Sequence, residues 1–170
     1  YDQLGGGFSR YSVDERWAVP HFEKMLYDNA QLVRLYAEAQ QIAPRPLWRK
    51  VAVETVAWLE REMISPDGAF FAAQDADSEG EEGKFFAWTP KQLEEVLGAD
   101  DAKKAAEHFG VTASGNFEHG TSVLWLPGSE TEASGFQQRL FAARSKRIPP
   151  GTDDKVLVGW NGLMIRGLAF

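Results

Sequence analysis

The chain contains no cysteine, which excludes disulfides, thiolate catalysis and cysteine-ligated zinc from these residues and makes a reducing compartment, the cytoplasm, the expected setting. It has no apolar run of the roughly 18–20 residues that a membrane span needs and no signal-peptide pattern, so no membrane partner is expected. Positive charge is scarce as well: 18 Lys and Arg against 25 Asp and Glu leave a net charge of −7. Without a basic stripe interleaved with aromatics, nucleic acid is excluded as a partner. GxSxG, HExxH and His-rich metal spacings are also missing, so no metal or cofactor is assigned, and His108 and His119, isolated near glycines, read as structural.

What remains is a globular composition, 44% hydrophobic over 170 residues, long enough for one core. From residue 20 to 43, Met25, Leu32, Leu35, Ala39 and Ile42 recur every three or four positions, which predicts an amphipathic helix with Pro20 at its first position. Pro44-Arg45-Pro46 breaks it, and Trp48, Ala52, Thr55, Leu59 and Met63 define a second helix ending before Ser65-Pro66-Asp67-Gly68. The two form an αα-hairpin. Residues 69–74 and 84–88 read as the strands of a β-hairpin around a long acidic loop. Thr89-Pro90 caps a short helix to Leu97, another spans 99–109 before Gly110, residues 115–127 are extended, and 130–147 is helical. In that last helix the late Arg144, Lys146 and Arg147 read as complement to the helix dipole. The final apolar pattern, from Trp160 to Phe170, stops without a cap, and the chain opens in a glycine turn without an initiator Met, as expected of a piece of a larger domain.

Three stretches carry polar chemistry. In the first, Gly5-Gly6-Gly7 lets backbone approach a ligand or another chain closely, while Arg10, Tyr11 and Trp17 add donors and flat faces. No GK[ST] follows the glycines, so a phosphate loop is excluded. With Pro20 opening the helix, His21 and Glu23 fall in its first turn, where the dipole disfavours a charged imidazole; His21 then reads either as a neutral base or as a capping or core histidine. Asp28 shares that helix face about 10 Å further along the axis, too far for a bonded dyad. Lys24 and Tyr27 add to a polar density unusual on an apolar helix. The second stretch, residues 74–83, imitates a calcium loop, but its twelfth position counted from Asp75 is Phe86 rather than Glu. A solvated acidic turn, a looser cation site and pocket-lining carboxylates (Asp75, Asp77) stay open. The third holds Asp154, Lys155, Trp160 and Asn161. Asn161 fits a helix cap, and Trp160 offers a stacking face. Adjacent acids here do not identify a glycosidase pair, because that assignment rests on carboxyl separation.

Residues 5–11 (GGGFSRY), 19–28 (VPHFEKMLYD), 74–80 (QDADSEG), 153–156 (DDKV) and 160–165 (WNGLMI) together resemble the YyaL-like family, which includes a spermatogenesis-associated protein with a thioredoxin-like N-terminal domain. The resemblance implies an upstream thioredoxin-like domain followed by an (α/α)6 toroid similar to six-hairpin glycosidases and N-acylglucosamine 2-epimerases. Residues 1–170 would be a single partial domain, the first part of that toroid: mainly α, with a small β-hairpin insertion. The site expected at one mouth of the toroid takes a sugar-like ligand, as an epimerase or glycosidase-like activity would. His21 serves there as base or hydrogen-bond partner, with Asp28, Asp75 and Asp154 as carboxylates. Arg10, Tyr11 and Trp160 orient the ligand, and Glu23, Lys24, Tyr27, Asp77, Lys155 and Asn161 line it. The rival expectation is a non-catalytic module in which the same polar groups lock the hairpins together. Either way, a partial toroid leaves apolar helix faces uncovered and favours self-association.

Overall fold

The computed structural model describes residues 1–127 and 135–170. These fall into two compact units, the first made of Tyr1–Arg10, Phe22–Ala76 and Pro150–Phe170, the second of Tyr11–His21 and Asp77–Pro149. Helices dominate the described residues, with a few two-residue strand pairs between them, so the mainly α expectation holds.

In the first unit, helix α1 (Leu26–Ile42) and helix α2 (Pro46–Trp58) form the predicted hairpin. The last turn of α2 widens into a π-turn over Leu59–Met63. Helix α1 begins six residues later than its periodicity predicts. Lys24–Met25 (β3) is captured instead by Ala73–Gln74 (β4), which pairs on its other edge with Thr152–Asp153 (β7). Met25 is extended, and the Leu26 N–H donates to the Ala72 carbonyl at 2.9 Å. A donor at the helix start is therefore satisfied by a neighbouring chain segment rather than by a side-chain cap. Helix α6 (Val158–Leu168) packs against α1, and Leu26, Ala30, Trp58, Leu59, Met63 and Met164 form the core. Gly167 lets the helices cross closely, since a Cβ there would stand 2.7 Å from the Ala30 carbonyl oxygen. An apolar groove of about 350 Å³ lined by Val33, Val53, Val56, Leu168 and Phe170 stays open on the helical face.

In the second unit, Tyr11–Ser12 (β1) pairs with Pro20–His21 (β2), and Asp77–Ser78 (β5) with Glu81–Glu82 (β6). The acidic stretch thus folds on itself: Glu79 and Gly80, both at positive φ, supply the turn a two-residue hairpin requires. Residues 69–74 and 84–88 do not pair with each other, contrary to the sequence reading. Helix α3 (Pro90–Leu97) starts on the Thr89/Gln92 capping box, and helix α4 (Ala99–His108) follows it. Helix α5 (Phe136–Arg144) realises part of the helix expected over 130–147, whose start falls outside the described residues. The Arg144 guanidinium lies over the rings of Phe85, Phe86 and Phe141 at 5.1–5.7 Å. That of Arg147 stands 4.0 Å from the Trp88 ring and donates to the Phe85 and Ala87 carbonyls. These two arginines knit the unit together; the dipole reading misses that Arg144 is buried and Arg147 half-buried. Among the described residues, no helix is long and apolar enough to cross a membrane.

Candidate functional site

The sheet β3–β4–β7 joins the three polar stretches, one strand from each, into hydrogen-bonded neighbours. The ladder fixes where their carboxylates leave it. Asp75 continues β4 at the level of Gly151, whose carbonyl accepts its N–H at 2.7 Å, while Asp154 continues β7 at the level of Ala72. The two depart from opposite ends of the ladder, about 10 Å apart along the strands. Both are exposed. Lys155 is held by Asp153 at 2.7 Å.

Beside the start of β3, Arg10 donates to Glu23 at 3.1 Å while their backbones bond at 2.8 Å. Tyr27 acts electrostatically on Arg10, and its ring meets Trp160 edge-on, centroids 4.8 Å apart. Asp28, in the first turn of α1, joins this group. Its Oδ2 is buried with no hydrogen-bond partner. Burial pushes its carboxyl above the usual carboxylate range; nearby Arg10 opposes the shift and Glu23 reinforces it. Other shifted carboxylates, Asp14, Glu81 and Asp153, move the opposite way.

Several expected ligand groups are committed elsewhere. Lys24 is on a strand, not a helix face, and its ammonium is buried against Asp2 (2.9 Å) and the Gly6 carbonyl (2.8 Å). Asn161 lies inside α6 and caps nothing; its amide accepts from the Phe70 N–H and donates to the Phe70 carbonyl at 2.8 and 2.9 Å, closing the 63–71 turn onto the helix. The glycine turn approaches helix α2, not an open pocket: a Cβ on Gly6 would clash with the Glu54 carbonyl, and one on Gly7 would stand 2.8 Å from the Trp58 ring.

In the second unit, His21 lies on β2, so neither the dipole argument nor a face shared with Asp28 on one helix applies. Its Nδ1 stands 2.8 Å from Glu82 Oε1, and its ring stacks on Tyr11 at 4.9 Å. Asp77 is exposed on β5. Among the described residues, no three His, Asp or Glu side chains gather as a metal-ligand set.

Along 99% of its length the chain is 36% identical to spermatogenesis-associated protein 20 of Homo sapiens and 35% identical to that of Mus musculus. The chain is homologous to spermatogenesis-associated protein 20. It spans about a quarter (26%) of the length of these relatives. It is also 31% identical, over 99% of its length and 28% of the relative's, to an uncharacterized protein of Caenorhabditis elegans. No family model matches.

Three residues of these clusters escape sequence reasoning. Asn29, fully buried, clamps the Phe8 backbone through both amide atoms and donates to Met25 O. Its signal is a polar residue between Leu26, Ala30 and Val33 on the core stripe. Glu82 is hidden by register, since only the Glu79-Gly80 turn brings it beside Ser78 and Asp77. Asp2, partner of Lys24, gives no periodic signal at all.

Proposed function

We propose that the chain contributes to a carbohydrate-binding or carbohydrate-converting site in which Asp28 is the proton-handling carboxyl. One observation carries the reading: a buried Asp28 oxygen without a partner, on a carboxyl whose pKa is raised by that burial. Leaving such an atom unsatisfied costs about 1–3 kcal/mol, a cost that a ligand hydroxyl donating to it would offset. A carboxyl so raised holds its proton closer to neutral pH and can act as a general acid. Arg10, held by Glu23, supplies donors for sugar oxygens, and the Tyr27–Trp160 pair supplies an aromatic wall for a ring's C–H face. Within the second unit taken by itself, His21, oriented through Nδ1 by Glu82, is a candidate base or hydrogen-bond partner.

The larger setting proposed is an (α/α)6 toroid whose opening hairpins include α1 and α2, in a cytoplasmic protein with an upstream thioredoxin-like domain. The uncovered groove over Val53, Val56 and Phe170 supports it, since further toroid helices would bury that face. The test is calorimetry on the full-length protein with neutral mono- and oligosaccharides. A binder lost on Asp28→Ala but kept on Lys155→Ala is expected; wild-type protein that binds no sugar sinks the proposal.

A non-catalytic module is the second reading, favoured by the buried Lys24, Asn29 and Asn161, all spent on backbone and ion-pair locks. Under it, Asp28→Asn changes the melting temperature and no ligand affinity.

A further inference from the structure

The hairpin loop between β1 and β2 presents an indole that folding alone does not account for. Trp17 is 83% exposed and sits at φ +58°, a left-handed backbone that bulky side chains rarely adopt. The residues that follow it, Ala18 and Val19, are buried at 4% and 9% exposure, so a core lies within one residue of an indole that stays outside it.

The loop is nonetheless tightly held. The Asp14 carboxylate accepts from the N–H groups of Arg16 (3.2 Å), Ala18 (2.9 Å) and Val19 (2.8 Å) and from the Ser12 hydroxyl (3.1 Å). The Val13 N–H closes the loop on the Val19 carbonyl at 2.9 Å. Backbone strain of this kind persists where the surroundings over-determine it, and it concentrates at ligand clamps. Exposed Tyr11 lies at the base of the same hairpin, stacked on the His21 ring that bonds Glu82. The unit therefore combines open aromatic faces, an imidazole and carboxylates. That mixture suits an uncharged polyhydroxylated ring, whose C–H face stacks on an aromatic and whose hydroxyls donate to carboxylates. Phosphate-bearing ligands are disfavoured by the chain's net charge of −7.

We propose that Trp17 is a rigid stacking platform for a sugar ring of an uncharged oligosaccharide, displayed by the Asp14-clamped loop. This rests on the carbohydrate reading above and assigns the second unit a binding residue of its own. The test compares wild type, Trp17→Gly, Trp17→Ala and Asp28→Asn full-length protein by calorimetry against α-1,4- and β-1,4-linked glucose hexaoses, with melting temperatures recorded in parallel. The expected result is roughly tenfold weaker hexaose binding in both Trp17 variants. Trp17→Gly, which accepts the positive φ without strain, is expected to keep or raise the melting temperature. Unchanged affinity in the Trp17 variants beside loss in Asp28→Asn overturns the platform and leaves the carbohydrate reading standing. Wild type that binds neither hexaose nor any smaller sugar overturns both. A lowered melting temperature in Trp17→Gly assigns the residue to folding instead.

Discussion

Replacing Lys24 by Met separates a structural lock from a ligand-binding cation. The ammonium stands 2.9 Å from Asp2 Oδ2, 2.8 Å from the Gly6 carbonyl oxygen and 5.3 Å from the centroid of the Trp58 ring, with the side chains of Lys24 and Asp2 only 1% and 6% exposed. Methionine preserves the apolar stem against Trp58 but removes the positive charge, leaving the Asp2 carboxylate buried without its ammonium partner. Breaking such a pair from one side costs about 3–5 kcal/mol. At roughly 2–4 °C per kcal/mol for a domain of this size, the melting temperature falls by about 6–20 °C. Adding Asp2→Asn removes the stranded charge and recovers a large part of the loss, because Asn keeps an oxygen for the Leu4 and Gly5 N–H groups that Asp2 Oδ1 now accepts at 3.0 Å. Thermal and urea unfolding followed by circular dichroism measure both variants. A single-variant shift below about 2 °C, or a double variant no more stable than the single, refutes the lock. If Lys24 bound the ligand instead, Lys24→Met would weaken sugar binding at an unchanged melting temperature.

Asn161→Ala leaves both polar groups of Phe70 without their partner and is expected to lower stability by about 2 kcal/mol in urea unfolding; an effect within experimental error would assign the 63–71 turn to other contacts. Gly7→Ala, which combines φ +80° with a Cβ 2.8 Å from the Trp58 ring, is expected to destabilise far more than Gly68→Ala, where φ is +83° but no atom lies within 4 Å. Equal losses would show that backbone conformation alone governs both. Asp28 also predicts a pH dependence. Its folded pKa exceeds the unfolded value, so the folded chain holds this proton more tightly, and the stabilisation present in acid is lost as pH rises through the folded pKa. Wild type should therefore lose stability relative to Asp28→Asn between acid and neutral pH; parallel profiles would contradict the shift.

Local chemistry was legible where local chemistry decides. Thr89-Pro90-Lys91-Gln92 announces its own helix, because every group of the capping box lies within one turn. The α1–α2 break at Pro44-Arg45-Pro46 is equally self-contained. The start of α1 was not legible, because Met25 is held extended by β4, distant in sequence, and periodicity carries no record of that pairing. The same holds for Asn161, whose partner Phe70 lies on another element, and for Arg144 and Arg147, which a dipole argument places in solvent but whose guanidiniums lie over aromatic rings. The candidate site shows the same division. Polar density singled out three stretches, and one strand of each meets in one sheet. Yet which polar groups are spent on packing, as Lys24 and Asn161 are, and which keeps a buried oxygen without a partner, as Asp28 does, depends on tertiary neighbours.

The most direct test of the account is the titration of Asp28 itself, followed through its side-chain carboxyl carbon by NMR in the protein with and without the sugar that binds best. The Asp28 carboxyl is expected to show a titration midpoint above the ordinary carboxylate value in the free protein and a clear displacement of the same resonance when sugar is added. A carboxyl that titrates at the ordinary value, and whose resonance no sugar moves, contradicts it.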